Sequence, residues 1–126
     1  MILDTCALLW LAGGKRDRIS KKTWDKIEQS PVVSIVSITA YEIGLKYRSG
    51  KLTLATTPDE WIKLAVEFHR LEVISLDLEA CLLSSKLPPV HKDPCDRFII
   101  AAATLRGMPV VTTDRRFAEY GVKVLN

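Results

Sequence analysis

Cysteine and histidine are scarce in this 126-residue chain, which has three cysteines (Cys6, Cys81, Cys95) and two histidines (His69, His91). No two cysteines form a CxxC pair and their number is odd, which argues against a disulfide framework or a zinc knuckle; they read as reduced thiols. Neither histidine lies in a ligand-spaced motif, so His-based zinc chemistry has little support. Long apolar runs are also missing. The stretch Ala7 to Ala12 is too short for a signal peptide or a membrane span, and the first residues carry no basic region, so the expected compartment is the cytoplasm, with no membrane contact. Excess charge of one sign is lacking too: 18 basic and 15 acidic residues leave a net +3, short of the strongly basic footprint of a dedicated nucleic-acid binder.

What is present is apolar content: 48% hydrophobic residues at this length allow one continuous core, so a single domain over residues 1–126 is the default expectation. Residues 1–3 form a short apolar run ending at Asp4, and a helical stretch with Leu8, Leu9, Trp10 and Leu11 follows Thr5 until Gly13-Gly14 breaks it. Ser20 caps a second helix over Lys21 to Gln29, with Trp24 and Ile27 at helical spacing. The β-branched run Val32 to Val36 reads as a buried strand, and Ser37 is placed to cap a helix running toward Arg48 before Gly50. A helix from about Pro58, a strand over Val73 to Leu76, a helix from Leu78 to Lys86 and a mostly apolar helix from Pro94 to Arg106 come next. Val110-Val111 and Val122 to Leu125 are the last strands. Strands alternating with helices across short connections predict a mainly parallel sheet covered on both faces, a three-layer α/β/α domain. In such sheets ligands bind beyond the carboxyl ends of the strands.

Four carboxylates fall where that edge is expected. Asp4 and Asp114 each end a strand, and standing alone each also reads as a cap or turn residue. Glu42 shares a helical stripe with Ile38, Tyr41 and Leu45, which predicts partial burial; the competing reading is an i, i+4 ion pair with Lys46. Asp93 precedes Pro94 and so reads as the N-cap of the apolar helix, whereas Asp96 falls near its third position, at the rim of the core. Packed together, four carboxylates repel, and a divalent cation relieves the repulsion; all-oxygen ligation suits Mg²⁺, with Mn²⁺ as a substitute. With those acids gathered in one pocket, 11 acidic residues face 18 basic ones elsewhere, which favours an anionic partner. Lys46 and Arg48 follow Glu42, Arg97 follows Asp96, and Arg115 follows Asp114, as contacts to a phosphate backbone would require.

These residues also carry a resemblance. The segments LDTCALLW (3–10), SITAYEIGLKYRSGKL (37–52), HKDPCDRFIIAAA (91–103) and VVTTDRRF (110–117), in that order over nearly the whole chain, resemble the PIN-domain ribonucleases and specifically the VapC-type toxins of type II toxin–antitoxin pairs. The resemblance implies an RNA substrate and metal-assisted hydrolysis at Asp4, Glu42, Asp96 and Asp114, with Thr5 and Thr112 supporting them. It also implies a homodimer and a cognate antitoxin whose short segment docks near the apolar N-terminal helices. The chain departs from the family pattern at Cys95, where an aromatic residue is usual, and at Cys6, where a histidine is frequent. Neither departure removes a carboxylate.

Three other readings compete. A receiver-type phosphoacceptor domain needs an aspartate ending the third strand, and no aspartate lies between Asp25 and Asp59. A PIN-like nuclease for structured DNA or RNA maturation shares the same chemistry without an antitoxin. A binding module that has lost catalysis would bind RNA without cutting it.

Overall fold

Each interior strand contributes two apolar residues, joined in one case by Ser34, and all are buried, as a parallel sheet covered by helices requires. The computed structural model describes all 126 residues. In chain order the elements are β1 (Ile2–Leu3), α1 (Thr5–Gly13), α2 (Lys21–Gln29), β2 (Ser34–Val36), α3 (Ile38–Arg48), α4 (Pro58–Phe68), β3 (Glu72–Ile74), α5 (Leu78–Lys86), α6 (Pro94–Arg106), β4 (Val110–Val111) and β5 (Val124–Leu125). Short 3-10 turns cover Arg16–Arg18 and Arg115–Tyr120. The sheet order is β3-β2-β1-β4-β5, and every neighbouring pair is parallel.

Alternation along the strands splits the core in two. Leu3, Ile35, Val111 and Leu125 face a layer built with Leu8 of α1, Trp24 and Ile27 of α2 and Ile43 of α3. Their neighbours Ile2, Val36 and Val110 face the other way, onto Ile99, Ile100 and Ala103 of α6 and onto Phe117. Helix α5 packs against α6. The expected three-layer α/β/α architecture is present, and its sheet is wholly parallel. No helix is long and apolar enough to cross a membrane.

Side-chain caps set most helix starts: Ser20 accepts from the Thr23 amide, Asp77 from Ala80, and Asp93 from Cys95. Ser37 departs from expectation. It already has helical dihedrals and makes no capping bond to α3; its hydroxyl accepts instead from the Leu76 amide at 3.0 Å, tying the exits of β2 and β3 together. The chain runs from β1 outward to β2 and β3, then crosses through α5 and α6 to β4 on the other side of β1. That reversal opens a crevice at the carboxyl ends of β1 and β4, the usual ligand position in open parallel sheets.

Candidate metal centre

Asp4 and Asp114 stand at that crevice because the strands before them are paired, with Leu3 opposite Val111 and the Asp4 amide donating to the Val111 carbonyl at 3.1 Å. Both are also caps, so the structural and the chemical readings coexist. Asp4 Oδ1 accepts from the Ala7 amide at 2.8 Å. Asp114 Oδ1 accepts from the Arg116 amide at 3.0 Å. The fully buried Thr112 Oγ1 accepts from the Asp114 amide at 3.0 Å.

Glu42 is buried, at 7% exposure, but the reason differs from the expected stripe: Tyr41 (59% exposed) and Leu45 (48%) point to solvent. The inward face of α3 is instead Thr39, Glu42 and Ile43, with Lys46 one turn on. A helix advances about 100° per residue, so this face and the Tyr41–Leu45 face are equally compatible with the sequence; packing against α1 and α6 selects between them. Glu42 Oε1 accepts from Thr5 Oγ1 at 2.6 Å, and Oε2 pairs with Lys46 Nζ at 2.8 Å. The i, i+4 pair expected for this residue is therefore present, in a half-buried setting rather than an exposed one.

Asp96 projects from the first turn of α6, and Asp93, its N-cap, accepts from the Cys95 amide at 2.9 Å. Asp4, Glu42, Asp96 and Asp114 all line one cleft of about 150 Å³, together with Thr5, Cys6, Lys46, Asp93 and Thr113. Sequence reasoning missed the residue that joins two of these acids. His91 is 1% exposed, and its Nε2 lies 2.8 Å from Asp96 Oδ2 and 3.0 Å from Asp114 Oδ2. These three residues are the group whose ligand atoms lie within 4.8 Å of one another. The available signal was position: His91 opens the segment HKDPCDRF, five residues before Asp96.

The basic residues divide. Arg97, expected to contact phosphate, has its two terminal nitrogens donating to the carbonyls of Ser84, Leu87, Pro88 and His91 at 2.7–3.1 Å. Arg48 and Arg115 are exposed. Arg116 grips Asp114, with Nε to Oδ1 at 3.0 Å and Nη2 to Oδ2 at 2.7 Å.

Burial and charge act unequally on the acids. Burial, then the charges of Asp93, Glu42, Asp4 and Asp114, push Asp96 up to about 7. Asp4 is raised as well, by burial first, although its bonds to Thr112 and Ala7 oppose the shift. Asp114 moves the other way, to about 2, because Arg116 hydrogen-bonds it. Burial and the same acids hold Cys95 up at about 11 and raise Cys6, so both thiols stay protonated beside the site. Carboxylates crowded until one resists ionisation form a donor set that fits a hard divalent cation.

Away from this cleft, Leu11, Ala12, Trp61, Leu64 and Phe68 line an apolar groove of about 460 Å³ between α1 and α4. The PIN domain family model matches residues 1–123. The chain belongs to the PIN domain family. Within it, this PIN domain is 27% identical over 122 residues to Ribonuclease VapC22 of Mycobacterium tuberculosis, covering 95% of this chain and 91% of that protein. Its fold is similar to that of DNA-bound VapBC from Salmonella typhimurium, with a TM-score of 0.65, 24% identity, and 98% and 94% of the two chains covered. It is also similar to VapBC2 from Rickettsia felis bound to a promoter DNA fragment, with a TM-score of 0.70, 16% identity, and 99% and 96% covered.

Proposed function

We propose that this PIN domain is a divalent-metal-dependent endoribonuclease and the toxin of a toxin–antitoxin pair. The observation that carries the reading is the convergence of Asp4, Glu42, Asp96 and Asp114, from four segments, on one cleft at the carboxyl edge of the sheet. The 27% identity to a protein named as a ribonuclease supports the reaction class, and the similarity to VapBC complexes supports the pairing.

Asp4, Asp96 and Asp114 would hold Mg²⁺ or Mn²⁺, with Glu42 beside them. A cation so held supplies hydroxide from bound water and polarises the scissile phosphate. Thr5 orients Glu42, and Thr112 anchors the backbone of Asp114, so that neither carboxylate has to reorganise during the reaction. Glu42 or Asp114 aligns the attacking water. Lys46 at the wall, with Arg48 and Arg115 outside it, holds flanking phosphates of the RNA. The α1–α4 groove receives an apolar segment of the antitoxin, and the exposed Tyr41 and Leu45 on α3 belong to a homodimer face.

The test is cleavage by antitoxin-free protein of tRNA, rRNA and mRNA, and of single-stranded DNA as a control, in Mg²⁺, Mn²⁺ or EDTA, beside Asp4→Ala and Asp96→Asn. The expected result is RNA cleavage that requires metal and is lost in both variants. Cleavage that persists in EDTA or in both variants overturns the assignment, and cleavage of DNA alone overturns the substrate class.

A further inference from the structure

The loop between α5 and α6 is more tightly held than a connector needs to be, and His91 is the residue it delivers. Its ring has one edge on the backbone and the other on two acids. Nδ1 lies 3.2 Å from the Asp93 amide, which can only donate, so Nδ1 must present its lone pair. The proton therefore sits on Nε2, and that single N–H is shared between Asp96 Oδ2 and Asp114 Oδ2. Phe117, fully buried, meets the imidazole edge-to-face at 5.9 Å and fixes its plane.

The backbone around His91 is anchored from two sides. The His91 amide donates to Tyr120 Oη at 2.8 Å, and that hydroxyl donates to the Pro88 carbonyl at 2.6 Å. Arg97 Nη1 donates to the carbonyls of both Pro88 and His91, at 2.9 and 3.1 Å. The loop thus closes on an arginine and a tyrosine outside the cleft; Arg97 also ties the end of α5 through the Ser84 and Leu87 carbonyls, and Tyr120 also packs on the core.

We propose that His91 is a positioning residue for the metal centre: held as the Nε2–H tautomer by the Asp93 amide, it sets Asp96 and Asp114 at a fixed separation and aims their remaining lone pairs into the cleft, while Arg97 and Tyr120 keep the loop that carries it in register. The inference rests on the metal-site reading above but not on RNA as the substrate. A hydrogen bond from behind orients a ligating carboxylate, and loss of such a partner costs metal affinity rather than the site itself.

Two measurements test it. In ¹⁵N-histidine-labelled protein, with His69→Gln removing the other imidazole, long-range ¹H–¹⁵N correlation reports which nitrogen of His91 carries the proton. A protonated Nε2 with a bare Nδ1 is expected, and the opposite tautomer overturns the proposal. In Mn²⁺ titration followed by calorimetry, His91→Leu is expected to weaken binding about tenfold or more. His91→Gln, whose amide N–H reaches the Nε2 position, is expected to recover most of that loss, and Tyr120→Phe to show a smaller one. An unchanged Mn²⁺ affinity in a folded His91→Leu protein overturns the proposal, as does a His91→Gln protein no better than His91→Leu. Wild-type protein that binds Mn²⁺ in this pattern yet cuts no RNA leaves the positioning role standing and removes the ribonuclease reading instead.

Discussion

Lys46 Nζ lies 2.8 Å from Glu42 Oε2 one turn along α3, and it is the cation that compensates a carboxylate otherwise held only by the Thr5 hydroxyl. Burial opposes the Lys46 charge, but the bond and the charge of Glu42 outweigh it and raise the ammonium above its ordinary range. Replacing Lys46 with Met leaves Glu42 buried and unpaired, and the expected loss is about 1–2 kcal/mol, kept modest because Lys46 is itself partly exposed. The double variant Lys46→Met, Glu42→Gln should be more stable than Lys46→Met alone, because the orphan charge is gone. Urea denaturation of the set decides. A double variant less stable than Lys46→Met would show that Glu42 does not depend on Lys46.

The pH dependence of the metal-free protein follows from Asp96. Its folded value of about 7 lies above the ordinary 3.8, so the folded state holds a proton that the unfolded chain has lost. Stability should therefore fall as pH rises from about 4 to about 7, then level off. Asp114, lowered to about 2, adds the opposite and separate effect, a loss of stability as pH falls from about 4 toward 2. Cation binding must displace the Asp96 proton, so Mn²⁺ affinity should rise by up to about tenfold per pH unit below 7 and flatten above. Melting curves at pH 5 and 7.5, with and without Mn²⁺, check both. Asp96→Asn should flatten much of the slope between those values, what remains coming from Asp4, which burial also raises, and an undiminished slope would place the titrating group elsewhere.

Much of this centre was legible because acids at strand ends are set by topology, and topology follows from element order. Asp4 and Asp114 needed only β1 and β4 to be neighbours. Asp93 was legible as a cap because proline at the next position fixes the helix start. Two features were not legible. The face of α3 could not be read because Tyr41 and Leu45 are apolar yet exposed, and only contacts from other elements decide that Thr39 and Glu42 turn inward. Likewise, Arg97 stands beside Asp96 in sequence, but adjacent helical residues point about 100° apart. Asp96 therefore meets the cleft while Arg97 meets the loop behind it, and His91 reaches the acids only through that loop.

Ser34 offers a prediction about the core alone. It sits fully buried in β2, opposite Ile2, and its hydroxyl is the one buried side-chain polar atom without a hydrogen-bond partner. An unsatisfied buried hydroxyl costs roughly 1 kcal/mol or more relative to an apolar group. Ser34→Ala should therefore raise the melting temperature, by roughly 2–5 °C for a chain of this size. The cleft is built from other segments, so Mn²⁺ affinity should not change. A lowered melting temperature would mean that the hydroxyl has a partner, such as a bound water.

Arg116 tests whether the centre is held in check by its own counter-charge. Its guanidinium occupies both oxygens of Asp114, and one of those oxygens also receives the His91 N–H. A cation at Asp114 must compete with that grip, and the two positive charges repel. Arg116→Ala should therefore tighten Mn²⁺ binding a few-fold, and the gain should shrink as salt rises, because the Arg116 side chain is half exposed and its field is screened. The same substitution raises the Asp114 carboxyl toward its ordinary value, so the variant should be less stable than the wild type above about pH 4, and the loss of stability on acidification from pH 4 to 2 should shrink. The two effects have opposite signs and a common origin, so calorimetry at two salt concentrations together with an acid melt discriminates. Tighter metal binding with the acid-side slope unchanged would mean that Arg116 acts on the cation through space and not through Asp114.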